Sequence, residues 1–179
     1  SLRTRVSFEV AMNQLGGASL YITDKEIGLG QRESVHDVAK VLSRMVDGIM
    51  IRTFDHAHVE GLAQHASVPV INGLTDLTHP CQILADVFTI EEAFGSIEGR
   101  KVVYVGDGNN VAHSWINAAA RLDFPLVICS PRDYKPDAKA VEKAQTAGDL
   151  DLTISHDPIE AVQNADVLYT DVWASMGQE

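Results

Sequence analysis

Short apolar segments alternate with longer amphipathic segments along almost the whole chain, and this alternation restricts the possible folds more than any other feature. Residues 102–105 and 126–129, for example, are short apolar runs, whereas the segments between such runs carry apolar residues at helical spacing. Strands that alternate with helices build parallel sheets with helices packed on their faces. The pattern therefore predicts an α/β protein with parallel sheets.

Turn and capping residues give the boundaries of the predicted elements. Gly16-Gly17 ends the first helix, Ser34 caps the next, and Pro80 and Pro158 each begin one. The predicted strands are 20–22, 48–51, 68–71 before a loop at Asn72-Gly73, 102–105, 126–129, 152–154 and 167–169. The predicted helices are 6–15, one from Ser34, one around 59–66, one from Pro80 to about 94, one ending near 122, 137–147, and one from Asp157.

The segment 95–100 is the best domain boundary, because a helix ends there and a new strand–glycine–helix unit begins. We therefore predict two parallel-sheet α/β domains, 1–95 and 96–179. Ser1 falls inside a predicted binding loop, and Glu179 closes a loop that no further element follows. Both domains are thus expected to be truncated, the first at its N-terminal side and the second at its C-terminal side.

Charge and composition exclude several classes of protein. The 179 residues have a formal net charge of −11, which argues against a nucleic-acid binder because such proteins need a basic face. No apolar run approaches the roughly 18 residues of a membrane span, and no signal-peptide pattern is present. Cys81 and Cys129 provide neither a disulfide framework nor a metal-ligand spacing. These features favour a cytoplasmic enzyme.

The strongest local signal for anion binding is Ser1-Leu2-Arg3-Thr4-Arg5, at the start of a predicted helix. Backbone N–H groups at a helix N-terminus lack internal partners and carry partial positive charge. With hydroxyl groups and a guanidinium they can hold a phosphate. A capped helix with exposed arginines is the alternative interpretation.

Two further polar groups stand at predicted element ends. In His79-Pro80-Cys81-Gln82 the proline fixes the helix start, so that His79 and Gln82 can reach one polar substrate, and an imidazole N–H can donate to a developing oxyanion. Arg52 ends an apolar strand at the sheet edge where open α/β proteins bind ligands. A solvated loop histidine and a surface arginine are the alternatives.

The glycine-rich loop Gly106-Asp107-Gly108-Asn109-Asn110 follows a predicted strand but matches a dinucleotide site poorly. Val111 occupies the third glycine position, and the next strand ends in Ser130-Pro131 and not in a ribose-binding acid. We therefore reject NAD binding, while a polar small-molecule site at this sheet edge stays open.

An acid and a hydroxyl follow the last predicted strand, in Asp171-Val172-Trp173-Ala174-Ser175-Met176-Gly177. Asp171 could pair with a substrate ammonium group, although from the sequence pattern alone a structural loop is the simpler interpretation. His56 and His58 lack an acid or cysteine at matching spacing, so we predict no metal site.

Taken in order along residues 1–179, these motifs resemble the ornithine carbamoyltransferase family. Ser1 to Arg5 is similar to the family's Ser-x-Arg-Thr-Arg loop, and His79 to Gln82 is similar to its His-Pro-x-Gln motif. Asn110 matches the family's ornithine-binding asparagine, and Asp171 with Ser175-Met176-Gly177 matches its Asp-x-x-x-Ser-Met-Gly loop. Arg52 stands where the family has its next phosphate- and carbonyl-binding arginine.

The resemblance implies transfer of the carbamoyl group of carbamoyl phosphate to the δ-amine of L-ornithine, giving citrulline and phosphate, without a metal or organic cofactor. It implies a homotrimer or a multiple of trimers. Catalytic roles fall to Arg3, Arg52 and His79. The implied carbamoyl phosphate-binding residues are Ser1, Leu2, Arg3, Thr4, Arg52, His79 and Gln82. The implied ornithine-binding residues are Asn110, Asp171, Ser175 and Met176.

Two positions depart from the family pattern. Leu2 replaces the commoner threonine, and Gly28 lies about where many members carry a polar residue that reaches the neighbouring subunit. The family's His-Cys-Leu-Pro segment is expected beyond Glu179 and an N-terminal helical part before Ser1. Two other functions stay open, namely carbamoyl transfer to another amine, such as putrescine or an acylated ornithine, and non-catalytic binding of carbamoyl phosphate.

Overall fold

The structure is a computed structural model that describes residues 2–171, and the chain divides into two compact units. The first unit contains residues up to 51 and 57–73, and the second contains 52–56 and the chain from 74 onward. This division is based on compactness, and the proposed domain boundary at residue 95 stays a prediction.

The first unit is built from four helices and a two-stranded sheet. Ser34 caps the third helix as predicted, because its Oγ accepts a hydrogen bond from the backbone N–H of Asp37 at 3.0 Å. Val38, Ala39 and Leu62 form the centre of a small apolar core between helices and sheet. The elements are α1 Leu2–Gln14, α2 Asp24–Ile27, α3 Val35–Leu42, β1 Ile49–Arg52, α4 His56–His65 and β2 Val70–Leu74. Three terminal residues of these elements, Arg52, His56 and Leu74, belong to the second unit.

Two predictions for this unit are wrong. Residues 20–22 form no strand; their side chains are exposed, and Tyr21 lies beneath the guanidinium of Arg5, 3.8 Å from the ring centroid. The segment at Asn72-Gly73 is part of β2 and not a loop. A Cβ atom at Gly73 would lie 3.1 Å from the carbonyl oxygen of Ile51, so the glycine permits close backbone approach within the strand pair.

Within residues 2–171 the second unit contains a four-stranded parallel sheet, which confirms the predicted α/β class. The elements are α5 Pro80–Phe94, β3 Val102–Val105, α6 Asn110–Leu122, β4 Leu126–Cys129, α7 Ala138–Ala147, β5 Leu152–Ser155, α8 Pro158–Ala161 and β6 Val167–Thr170. The strand order of the sheet is β5-β4-β3-β6, so the chain runs outward from β3 to β5 and then returns to pair β6 with the other side of β3. No helix in the described part of the chain has the length and apolar character that a membrane span requires.

Alternate residues of the sheet enter two different cores, as the two-residue period of a strand requires. Tyr104 points into the larger core, where it joins Ile83 of α5 and Trp115 of α6. Val103 and Cys129 point into the smaller core on the opposite face. Cys129 is thus buried although it ends its strand.

Asp137 caps α7, and its replacement by alanine should destabilise the protein by about 1 kcal/mol. The carboxylate accepts hydrogen bonds from the backbone N–H groups of Lys139 at 2.9 Å and Ala140 at 3.0 Å, and the side chain is exposed, so little else is lost. Urea denaturation measures the change in the free energy of unfolding. Asp137→Asn retains a capping oxygen and should be close to neutral; an equal loss in both variants would contradict the capping role.

Candidate active site

Polar side chains of the second unit meet at the edge of the sheet where the strand order reverses. The chain leaves the carboxyl end of β3 through Gly106–Asn110 and leaves the neighbouring β6 at Asp171. The Nδ2 of Asn109 donates a hydrogen bond to Oδ2 of Asp171 at 3.3 Å. Open α/β sheets bind ligands in the crevice at such a switch point.

Asn109 is fixed in orientation by its role at the start of α6. Its Oδ1 accepts hydrogen bonds from the backbone N–H groups of Val111 at 2.9 Å and Ala112 at 3.2 Å. The amide NH2 must therefore face Asp171. Sequence reasoning missed this contact, although asparagine is among the best N-cap residues and directly precedes the helical pattern.

Asn110, the predicted ornithine-binding residue, is the first residue of α6 and is partly buried. Its Nδ2 donates to the carbonyl oxygen of Thr75 at 2.7 Å. Thr75 is fully buried and begins the loop 75–79, which ends at His79. Asn110 therefore links the start of α6 to the loop that carries His79.

Two more side chains of α6 hold the same loop. The backbone N–H of His79 donates to Oγ of Ser114 at 2.7 Å. His113 is buried and contacts the Leu77 carbonyl oxygen through Nδ1 at 2.9 Å, while its Nε2 accepts from the backbone N–H of Asp137 at 2.9 Å. These partners require the neutral tautomer with hydrogen on Nδ1. The position of His79 thus depends on α6, which sequence motifs alone did not indicate.

The imidazole of His79 is partly buried and close to charges of both signs. Burial is the main cause that lowers the pKa of His79, the Arg52 guanidinium lowers it further, and the Asp171 carboxylate opposes the change. The neutral ring therefore persists to lower pH than in an ordinary histidine. Its Nδ1 is buried without a hydrogen-bond partner among residues 2–171.

Arg52 ends β1, as predicted, and is partly buried in the second unit. Burial lowers the pKa of its guanidinium, but an arginine side chain stays protonated in proteins. A permanent cation and a neutral imidazole are therefore available together at this site.

Replacing Arg52 with methionine should raise the pKa of His79, because a positive neighbour that disfavours imidazolium is removed. The pKa should stay below the ordinary value, since burial is the larger cause of the shift. NMR titration of the histidine ring resonances measures the change. Arg121→Met, in the last turn of α6, is the matched control and should leave the pKa of His79 unchanged. A His79 titration that is identical in both variants would contradict the electrostatic coupling.

Gln82 lies in the first turn of α5, three residues after His79, with its side chain partly buried. Its Nε2 donates to Oδ1 of Asp86 at 3.0 Å. Cys81, which lies between His79 and Gln82 in the motif, is also partly buried, and burial raises the pKa of its thiol. The thiol is therefore unsuited to act as a nucleophile.

The predicted anion-binding residues of the first unit stand in the first turn of α1. Leu2 and Arg3 are exposed, and Thr4 is partly buried. Arg5 forms a salt bridge within α1, in which its Nε donates to Oε1 of Glu9 at 3.0 Å. Ser1, Ser175 and Met176, which complete the predicted binding set, lie outside the described residues.

One of the two histidines considered as metal ligands has another contact. Nδ1 of His56 lies 2.9 Å from Oγ1 of Thr75. Within 2–171 there is no group of three or more histidine, cysteine, aspartate or glutamate residues placed to hold a metal ion.

Comparison with known families identifies both halves of the chain. The family described as "Aspartate/ornithine carbamoyltransferase, carbamoyl-P binding domain" matches residues 1–92, and that described as "Aspartate/ornithine carbamoyltransferase, Asp/Orn binding domain" matches residues 98–179. The chain belongs to the aspartate/ornithine carbamoyltransferase family. The family resemblance inferred from the motifs is confirmed.

Relatives of this chain include both curated proteins and solved structures. The ornithine carbamoyltransferase of Syntrophus aciditrophicus is 57% identical over all of this chain and 59% of its own length. The chloroplastic ornithine carbamoyltransferase of Pisum sativum is 56% identical over all of this chain and 48% of its own. The ornithine carbamoyltransferase structure from Pyrococcus furiosus has a TM-score of 0.91 and 54% identity, over 100% of this chain and 58% of that one. The chain therefore spans about half to three fifths of the length of these relatives.

Proposed function

We propose that this chain carries out the central chemistry of an ornithine carbamoyltransferase. The observation that carries the proposal is a partly buried His79 whose backbone N–H is bound by Ser114 of α6, the helix that starts at the switch point of a parallel sheet. Burial and the Arg52 guanidinium lower the pKa of His79, and the Asp171 carboxylate opposes the change. A cation and an N–H donor suit the phosphate and carbonyl groups of carbamoyl phosphate. A carboxylate suits the ammonium group of an amino-acid acceptor.

In the proposed reaction the neutral δ-amine of ornithine attacks the carbamoyl carbon. The carbonyl π electrons move to oxygen, and Arg52, His79 and Thr4 stabilise the resulting oxyanion by hydrogen bonds. The carbonyl then re-forms as the bond from carbon to the phosphate oxygen breaks. Phosphate leaves with the electron pair, and it accepts the extra proton that the attacking nitrogen releases. Arg3 and the backbone N–H groups at the start of α1, with Ser1 and Leu2, would hold the departing phosphate.

The acceptor is assigned to the other side of the site. Asn110 and Asp171, with Ser175 and Met176, would hold the amino-acid end of ornithine. The contact between Asn109 and Asp171 supports this assignment, because it fixes the carboxylate near the start of α6. Positioning two substrates in this way is expected to supply much of the rate.

The test is citrulline formation from carbamoyl phosphate and ornithine, measured on the complete gene product. The rate should rise with pH through the alkaline range, because ornithine must lose its δ-ammonium proton before attack. A flat pH profile of the rate from about pH 6 to pH 9 would contradict amine attack as the rate-limiting step.

Putrescine and acylated ornithine serve as alternative acceptors in the same assay. Turnover with one of them in place of ornithine would retain the carbamoyl phosphate half of the proposal and overturn the acceptor half.

A non-catalytic carbamoyl phosphate binder is the second candidate. Thermal-shift measurements with each compound alone distinguish it, since a binder would bind carbamoyl phosphate but not ornithine analogues.

We also propose a cytoplasmic homotrimer, or a multiple of trimers, on the basis of the family resemblance. Light scattering in solution measures the assembly, and a monomer at micromolar concentration would contradict it.

A further inference from the structure

We propose that Asp86 is a positioning residue that holds the Gln82 amide with its carbonyl oxygen toward the nitrogen of the carbamoyl group. The inference rests on the proposed function and on the carbamoyl phosphate-binding role that the family resemblance implies for Gln82. Asp86 lies one helical turn beyond Gln82 on α5 and has no part in the steps described above.

The orientation of Gln82 matters because its amide has two chemically opposite ends. The NH2 end only donates hydrogen bonds, and the carbonyl end only accepts them. The carbamoyl group has the same two ends. If Arg52 and His79 donate to its carbonyl oxygen, its NH2 group requires an acceptor. Gln82 can serve as that acceptor only when its own NH2 group is turned away.

Asp86 imposes this orientation through a single contact. Nε2 of Gln82 lies 3.0 Å from Oδ1 of Asp86. An ionised carboxylate can only accept hydrogen bonds, so it selects the NH2 end of the amide. Because the amide is planar, with nitrogen and oxygen on opposite sides of Cδ, the carbonyl oxygen then points away from Asp86.

The environment of Asp86 sets it apart from an ordinary surface carboxylate one turn along a helix. Its side chain is partly buried, whereas most such pairs on helices are exposed and contribute little. Burial raises the pKa of Asp86, and hydrogen bonds from Gln82 and Tyr169 oppose this change. Tyr169 belongs to β6, the strand that also leads to Asp171. The carboxylate therefore lies close to the sheet, while its Oδ1 accepts a hydrogen bond from Gln82 on its own helix.

A double-mutant cycle on the complete gene product tests the proposal. Asp86→Ala should lower kcat/KM for carbamoyl phosphate by as much as about 10²-fold, the scale of a misplaced binding group. In a Gln82→Ala background the same substitution should change kcat/KM by less than about twofold, because the group it positions is gone. Inhibition by inorganic phosphate, which has no carbamoyl group, should be unchanged by Asp86→Ala. Equal losses in both backgrounds, or a parallel loss of phosphate inhibition, would overturn the proposal.

Two further measurements keep the test decisive. Asp86→Asn can still offer an oxygen to the Gln82 NH2 group, so this variant should fold and lose less activity than Asp86→Ala. An asparagine variant that folds but is no more active than the alanine variant counts against the proposal.

In ¹⁵N-labelled protein, the Gln82 side-chain amide resonances should shift on Asp86→Ala but not on replacement of the exposed Glu91 of the same helix by alanine. The NMR measurement does not depend on enzymatic turnover, so it tests the role of Asp86 separately from the proposed function. If the unmodified protein forms no citrulline, the proposed function is wrong. If the Gln82 resonances do not shift on Asp86→Ala, the role proposed for Asp86 is wrong.

Discussion

Replacing Arg52 with alanine is expected to lower kcat/KM for citrulline formation by about 10²–10³-fold, the usual effect of losing one preorganised donor to an oxyanion. The guanidinium is partly buried, and it lies close enough to His79 to lower the pKa of the imidazole. Steady-state kinetics with both substrates varied measures the change. The loss should appear mainly in kcat if Arg52 acts in the transition state.

Two variants make this expectation specific. Arg52→Lys keeps the charge but loses the planar fork of donors, and it should recover only part of the activity. Arg121→Ala removes an arginine from the last turn of α6 and should leave kcat/KM unchanged. A fully active Arg52→Ala variant with a normal melting temperature would remove Arg52 from the proposed mechanism.

Replacing Trp115 with alanine is expected to destabilise the protein by about 3–5 kcal/mol, the range for removing a large aromatic side chain from a core. Trp115 is 0% exposed in the larger core of the second unit. Its ring centroid lies 5.3 Å from that of Tyr169 and 6.0 Å from that of Phe124, both nearly edge-on. Urea denaturation measures the loss through a lower midpoint.

Trp115→Phe is the matched control. The indole Nε1 has no hydrogen-bond partner within 2–171, so phenylalanine leaves no partner group unsatisfied and retains most of the apolar area. We expect it to lose far less stability than the alanine variant. Similar losses in both variants would indicate that Nε1 makes a contact that the packing argument omits.

The fold was predictable where local and tertiary requirements agree. The two central strands of the second unit, β3 and β4, are almost wholly buried and follow clear turn residues, so their apolar runs stood out. Residues 20–22 have similar strand propensity, but they are exposed and pair with no strand in the described chain. Leu84 and Phe88 on α5 fit the apolar pattern, yet they are 64% and 61% exposed. Propensity does not reveal whether a partner surface exists.

The candidate site was predictable in its charged and motif residues but not in its supporting contacts. Arg52 and His79 stood out because each polar side chain ends or follows an apolar element. His113 and Ser114 carry no such signal, since their role depends on a loop far away in sequence. The resemblance pointed to Asn110 and not to Asn109, and the two adjacent asparagines differ only in their position at the start of α6. Such contacts depend on tertiary geometry, which spacing in one sequence does not encode.

The placement of β6 beside β3 has a consequence for biosynthesis. In the order of synthesis β4, α7, β5 and α8 all separate the two strands, so a nascent chain on the ribosome can pair β3 with β4 long before β6 emerges. Closing so long a loop is entropically unfavourable until β6 docks. Asn109 can therefore meet Asp171 only after β6 has emerged and paired with β3. The proposed acceptor side of the site thus forms later than the β3–β4 pair, although both belong to the same sheet.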